Sequence, residues 1–310
     1  MGVAKWIGPA TIRIEGTWYA SPGEYDMKTR SGPTRTALGA GKWFPGTRQA
    51  LGTTVTNLME EAFAPEVEGT LIGAISPHAG YPYSGPVAAT LYRAIRDNAA
   101  VRGAPDTVIV LGFSHRGEAA GVALMDGDAF ATPLAETPLD VEAATFLLGA
   151  EPRVSFDYRP HMGEHSLENQ VPFIQAALPS ASLVMALIGP RDPSLLDALA
   201  VSLGRLANQK KILVIASSDM LHDPSYELVR KTDQATLRRV TAMDTVGILR
   251  DWDYDRQIFC GIAPVVTAMK YARTRGCTKA TLLRYRNSGD DYPESRGQWV
   301  VGYGAVGFAV

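Results

Sequence analysis

Apolar residues along this chain fall into two kinds of stretch. Short unbroken runs at 71–75, 107–111, 182–188 and 212–216 have the length and β-branched content of strands buried on both faces. A further strand is predicted at 122–125, and two late ones at 278–285 and 299–310. Between these runs the apolar positions spread to helical spacing. Leu51, Val55, Leu58, Met59 and Ala62 line one face of a predicted helix over 49–63, which Pro65 ends. Helices are also predicted over 87–95, 141–148, 166–178, 193–206, 226–243 and 262–274. Pro172 either kinks the fourth of these seven or marks its first turn. Strand and helix alternate. The expectation is therefore an α/β fold: one domain with a mostly parallel central sheet flanked by helices, binding its ligand beyond the carboxyl ends of the strands. Residues 30–41 are rich in Ser, Gly, Pro and Thr and read as a linker. The expected organisation is an N-terminal extension over 1–39 and an α/β domain over 40–310.

Composition narrows the function classes. Thirty basic and 32 acidic residues leave a net charge of -2, so no strong field points to nucleic acid or to a membrane surface. No run is apolar enough to span a bilayer, and the first ten residues lack the apolar core of a signal peptide. Two cysteines cannot make a disulfide framework. A reducing cytoplasm is the expected compartment.

The chemistry sits at predicted strand ends. Pro77-His78-Ala79-Gly80 follows the 71–75 strand, and Gly112-Phe113-Ser114-His115 follows the 107–111 strand. A glycine directly after a buried strand suggests a bend toward a ligand, and Ser114 would orient the ring of His115 or bond a substrate oxygen. Phe259-Cys260-Gly261 precedes a helix whose N-terminus would favour a thiolate, whereas Cys277 reads as a buried inert thiol. Two imidazoles and a thiolate, brought together at His78, His115 and Cys260, suit a soft or borderline transition metal. Ser217-Ser218-Asp219-Met220-Leu221-His222 ends a third strand. There Asp219 can orient His222 as an acid or base, or simply cap the next helix. Glu164, His165 and Glu168 cluster within one turn, with His165 a candidate acid or base; Ser166, Asn169 and Gln170 read as capping residues, and His161 as a loop histidine. Cys260 as an acyl-transfer nucleophile is a rival chemistry. The sequence has no Gly-x-Ser-x-Gly elbow, phosphate loop or dinucleotide-binding glycine pattern, which argues against a serine hydrolase, a nucleotide triphosphatase and a dehydrogenase.

These motifs resemble one family in order. Ser76-Pro77-His78-Ala79-Gly80-Tyr81-Pro82-Tyr83-Ser84-Gly85, Gly112-Phe113-Ser114-His115, Glu164-His165-Ser166-Leu167-Glu168, Ser217-Ser218-Asp219-Met220-Leu221-His222 and Cys260-Gly261 are similar to the signatures of Memo-like proteins, also called AmmeMemoRadiSam system protein B. Ala40-Gly41-Lys42-Trp43-Phe44-Pro45 resembles the opening motif of that family. The resemblance implies the fold of class III extradiol dioxygenases. It further implies iron(II), or as second choice copper, on His78, His115 and Cys260, with His165, His222 and Asp219 lining the pocket. On this footing the expectation is a metal-dependent, dioxygenase-like oxidoreductase. His165 and His222 would move protons, and Asp219 would orient His222. The expected partners are a small-molecule substrate, dioxygen, and a radical enzyme or other protein. The family also includes a phosphotyrosine-peptide adaptor, so a non-catalytic peptide- or ligand-binding protein is the alternative. Phe113 stands where the family pattern has proline, which would either loosen that turn or place a ring over the pocket. Trp18 and Tyr19 in the extension are candidates for a lid or a docking arm.

Overall fold

The computed structural model describes residues 11–14, 17–20, 32–117, 119–189, 191–253 and 257–310. The chain divides into two compact units, Met1–Gly32 and Pro33–Val310. The first holds an antiparallel hairpin of β1 (Thr11–Ile14) and β2 (Thr17–Ala20). Trp18 and Tyr19 belong to β2, and their side chains lie outside the described residues.

The second unit runs, in chain order, through β3 (Thr34–Thr36), α1 (Arg48–Glu61), β4 (Leu71–Ser76), α2 (Tyr81–Arg102), β5 (Thr107–Gly112) and β6 (Val122–Leu124). It continues with β7 (Ala129–Ala131), β8 (Glu136–Pro138), α3 (Val141–Ala150), β9 (Val154–Phe156), α4 (Val171–Ala177), β10 (Ser182–Ile188), α5 (Pro193–Leu206) and β11 (Ile212–Ser217). It closes with β12 (His222–Asp223), α6 (Tyr226–Thr241), α7 (Thr245–Asp251), α8 (Ile262–Thr274), β13 (Ala280–Asn287), α9 (Ser288–Asp291) and β14 (Val300–Ala309). Most of these strands form one sheet in the order β12-β14-β4-β11-β5-β10-β6-β9, with β13 paired to β14. The central four, β4-β11-β5-β10, are parallel, and β14 and β6 join them antiparallel on either side. Residues 34–36 fall in the sequence-predicted extension. In the fold β3 pairs with β7 in a second, three-stranded sheet of the larger unit.

Burial on both faces explains the unbroken apolar runs. On β5, Val108 and Val110 pack under α1, α2 and α4, while Ile109 and Leu111 pack against α3 and α5 to α8. All four are fully buried, and each contributes about 1.5–3 kcal/mol of transfer free energy.

Two helices differ from their sequence pattern. The predicted 87–95 helix starts six residues earlier, at Tyr81, and contains Pro86. Pro86 has no N–H to offer Pro82, whose carbonyl instead accepts the Tyr292 hydroxyl at 3.1 Å. The predicted 166–178 helix is a 3-10 turn at Glu168–Gln170 followed by α4, with Pro172 in the first turn of α4.

The sheet order places the functional loops side by side. β4, β11 and β5 are neighbours and parallel, so the segments after Ser76, Ser217 and Gly112 leave the same edge. Gly112 does not serve a bend: its need is close packing. A Cβ there would lie 2.7 Å from both Ser166 Oγ and Leu167 Cδ2. Gly149 in α3, by contrast, faces open space. Gly112→Ala should therefore cost about 1–3 kcal/mol through overpacking. Gly149→Ala should be neutral or stabilise by up to about 1 kcal/mol. Urea unfolding of the two variants checks this, and equal effects would contradict it.

Candidate metal centre

One hydroxyl sets the state of His78. Ser217 Oγ donates its single proton to Ser166 O, and accepts from Gln170 Nε2 at 2.8 Å. His78 Nδ1 lies 3.1 Å from the same oxygen. With its proton already committed, Ser217 can only accept from the ring, so Nδ1 carries the hydrogen and Nε2 carries a lone pair. That Nε2 points to Cys260 Sγ, 3.3 Å away. Burial depresses the His78 pKa to about 3, helped by the His115 ring. The imidazole is therefore neutral.

His115 is fixed in the same sense by a carboxylate. Glu164 accepts from His115 Nδ1 at 2.9 Å, from the His115 amide at 2.7 Å and from the Ser166 amide at 2.8 Å. Burial alone would raise Glu164, but these hydrogen bonds, the His115 ring first, hold it at about 2. The ring again keeps its lone pair on Nε2. The orienting group is Glu164; Ser114 Oγ accepts instead from the Arg116 amide. Phe113 does lie against the site, its ring centre 4.2 Å from that of His115 and 5.9 Å from that of His78.

Cys260 comes to these rings from 182 residues beyond His78. Asp219 is the joint. Its Oδ1 accepts from the His78 and Ala79 amides at 2.7 and 3.2 Å, its amide donates to Cys260 Sγ at 3.2 Å, and its carbonyl accepts from the Cys260 amide at 3.1 Å. One donor atom from each of His78, His115 and Cys260 lies within 4.8 Å of the other two. Three first-row-metal bonds of about 2.0–2.3 Å need a similar spread. The set fits a cation on a second ground. Desolvation, then the Asp219 charge, push the Cys260 thiol far above its usual range. The helix N-terminus does not make it a thiolate as the sequence suggested, because that gain is smaller than the desolvation cost. A bound cation would supply the missing stabilisation.

The remaining residues fall into place around this core. His165 stacks between two rings, 3.8 Å from Trp43 at 7° and 4.5 Å from His115 at 22°. Burial and the two neighbouring histidines lower its pKa to about 3. His115, His165 and Glu164 also converge, but the Glu164 oxygens are already engaged by the donors named above. His222 is half-buried on β12, and its buried Nε2 has no hydrogen-bond partner among the described residues. Asp219 was expected to orient His222, but it accepts no hydrogen bond from that ring: its Oδ1 takes backbone amides, and it acts on His222 through its charge. Asn169 and Gln170 are not helix caps. Both are buried, with Asn169 Nδ2 on His78 O and Gln170 Nε2 on Pro77 O and Ser217 Oγ. A cleft of roughly 100 Å³ opens beside His165, lined also by Trp43, Glu164, Glu168 and Arg116. Sequence reasoning missed the roles of Ser217 and Trp43, although both sit inside motifs that were recognised.

His161 and Cys277 lie apart from the cluster. Cys277 is buried with its thiol toward Lys279 O. His161 Nε2 bonds Ala123 O at 3.1 Å, and burial lowers its pKa to about 4. A base depressed on folding contributes stability above its unfolded pKa, near 6.5, and loses it as the pH falls toward the folded value. His161 should therefore account for about 2 kcal/mol of lost stability between pH 7 and pH 5. Urea unfolding should show that difference smaller by about this amount in His161→Gln. An unchanged difference would contradict the assignment.

Comparison with known proteins places the chain in a family. The chain matches the family description Memo-like protein over residues 35–307. It is 33% identical over 245 residues to a MEMO1 family protein of Methanopyrus kandleri, covering 77% of this chain and 83% of that one. A MEMO1 family protein of Nitrosopumilus maritimus is 31% identical over 275 residues, 87% of this chain and 97% of its own. In fold alone, the chain is similar to the crystal structure of an uncharacterized protein from Escherichia coli K12. That match has a TM-score of 0.53 at 10% identity, over 77% of this chain and all of the other. The chain belongs to the Memo-like family.

Proposed function

We propose that the chain is a metal-dependent oxidoreductase, dioxygenase-like, acting on a small molecule. His78, His115 and Cys260 would hold the metal, iron(II) as first choice and copper as second. The observation that carries this reading is the pair of fixed imidazole tautomers, each keeping a lone pair, beside a thiol within 4.8 Å. When bound, the metal would supply a redox centre with open positions for dioxygen and substrate. The class III extradiol pattern has a carboxylate where this chain has Cys260, and the softer sulfur suits iron or copper better than magnesium or calcium.

The surrounding side chains would perform the rest. Neutral His165 lines the cleft and would accept a hydrogen bond from a substrate hydroxyl, the contact along which a proton would move. His222, whose pKa burial lowers, would be the second proton-moving group, its buried Nε2 without a partner among the described residues. Phe113 and Trp43 exclude water from one side of the rings. A covalent Cys260 mechanism is disfavoured, because burial holds the thiol protonated. Among the described residues, no helix is long and apolar enough to cross a membrane. A radical enzyme or other protein partner belongs to the same proposal by family resemblance.

Metal analysis after anaerobic purification without a chelating tag is the test. Near-stoichiometric iron or copper is expected in the wild type, with loss in His78→Ala and Cys260→Ser. Ser217→Ala keeps all three donors, and should weaken binding about 10–100-fold by freeing the His78 ring. Absence of both metals, with His78→Ala unchanged, would leave the non-catalytic peptide- or ligand-binding reading.

A further inference from the structure

Glu168 is a buried acid that the proposed chemistry does not use. It is 3% exposed, and its Oε2 accepts the Gly39 amide at 2.7 Å across 129 residues of sequence. Burial raises its pKa to about 7, against the pull of the Gly39 and Leu38 amides. A carboxyl kept there at that cost invites a role.

The partner of Glu168 is a tight turn over residues 39–44. Gly39 O accepts the Lys42 and Trp43 amides at 3.0 and 2.9 Å, and the Gly41 amide bonds Phe44 O at 2.7 Å. The far end of the turn is anchored, because Phe44 is buried and the Tyr81 amide donates to Trp43 O at 2.9 Å. At the near end the Ala37 amide donates to Ala131 O at 2.9 Å, and from there to the turn itself Glu168 takes the Gly39 amide. Gly39 packs so closely that an added Cβ would lie 3.1 Å from Glu168 Oε2 and 3.2 Å from Trp43 Cδ1. What this turn delivers is the indole of Trp43, laid flat on His165. His165 and Glu168 share one short segment, so the element that presents the histidine also grips the turn that covers it.

We propose that Glu168 is a positioning residue: it latches the 39–44 turn through Gly39 and thereby holds Trp43 on His165. The latch fixes the plane of His165, and with it the direction in which that ring can exchange a proton with a ligand in the cleft. The inference builds on the reading of His165 as a proton carrier, but its test needs neither metal nor turnover.

The experiment uses the metal-free full chain. Trp43 is one of five tryptophans, so its emission is taken as the difference from the same protein carrying Trp43→Phe. In Glu168→Ala, amide exchange over residues 39–44 should rise by about tenfold or more as the turn opens locally. Acrylamide quenching of the Trp43 emission should at least double, in the order-of-magnitude sense. Glu168→Gln keeps an acceptor oxygen for Gly39 and should stay within about twofold of wild type in both readouts. If Glu168→Ala does not fold, Gly39→Ala takes its place and should loosen the same residues with Glu168 intact. An unchanged turn in the folded variant, or equal loosening in Gln and Ala, would overturn the latch. Failure of metal binding alone would overturn the proposed function and leave the latch standing.

Discussion

A buried imidazole can present a lone pair only if something fixes which nitrogen holds its proton. Here that constraint is met twice, by different chemistry. Ser217 has one proton, already given to Ser166, so it forces the hydrogen of His78 onto Nδ1. Glu164 is an anion held by several hydrogen bonds, so it forces the hydrogen of His115 onto Nδ1 as well. Both constraints trace to one segment. Residues 164–170 supply Glu164, the Ser166 carbonyl, and the amides of Asn169 and Gln170 that tie the His78 and Ser217 loops together. The centre is thus a consequence of that segment packing against three neighbouring strand ends. Gly112 permits the approach.

The electrostatics have one direction. Burial neutralises His78, His165 and His222 and protonates Cys260. A site in which His78 is neutral and the thiolate is suppressed has low cost when empty, and its thiolate forms when a cation arrives. The same burial makes the site poor for covalent chemistry and good for holding a soft cation. Its most exposed member is His115, with 37% of its side chain accessible, while His78 is 1% exposed.

Much of the fold could be read from the chain because burial on both faces leaves no polar alternation in the central strands. The runs that became β4, β5, β10 and β11 were apparent for that reason. The insertion of β11 between β4 and β5 was not, since strand order depends on which crossovers pack best, and no local pattern records it. The strand-end histidines were legible because glycine and proline punctuate the ends. Asn169 and Gln170 were misread as caps because capping is the usual use of such residues at a helix start. In a 3-10 turn they point inward to the loops of His78 and Ser217. The spacing of Asp219 and His222 suggested a pair, but the turn directs the carboxylate to backbone amides. Trp43 was visible as a motif residue, yet its stack on His165 joins positions 122 apart by subtraction of their numbers, which no sequence window spans.

The most direct test of the central claim is X-ray absorption on iron- or copper-loaded protein. The account expects one sulfur at roughly 2.3 Å with two imidazole nitrogens at roughly 2.0–2.1 Å, by analogy with other first-row metals. The sulfur shell should vanish in Cys260→Ser. A shell of light atoms alone, identical in wild type and Cys260→Ser, would contradict it.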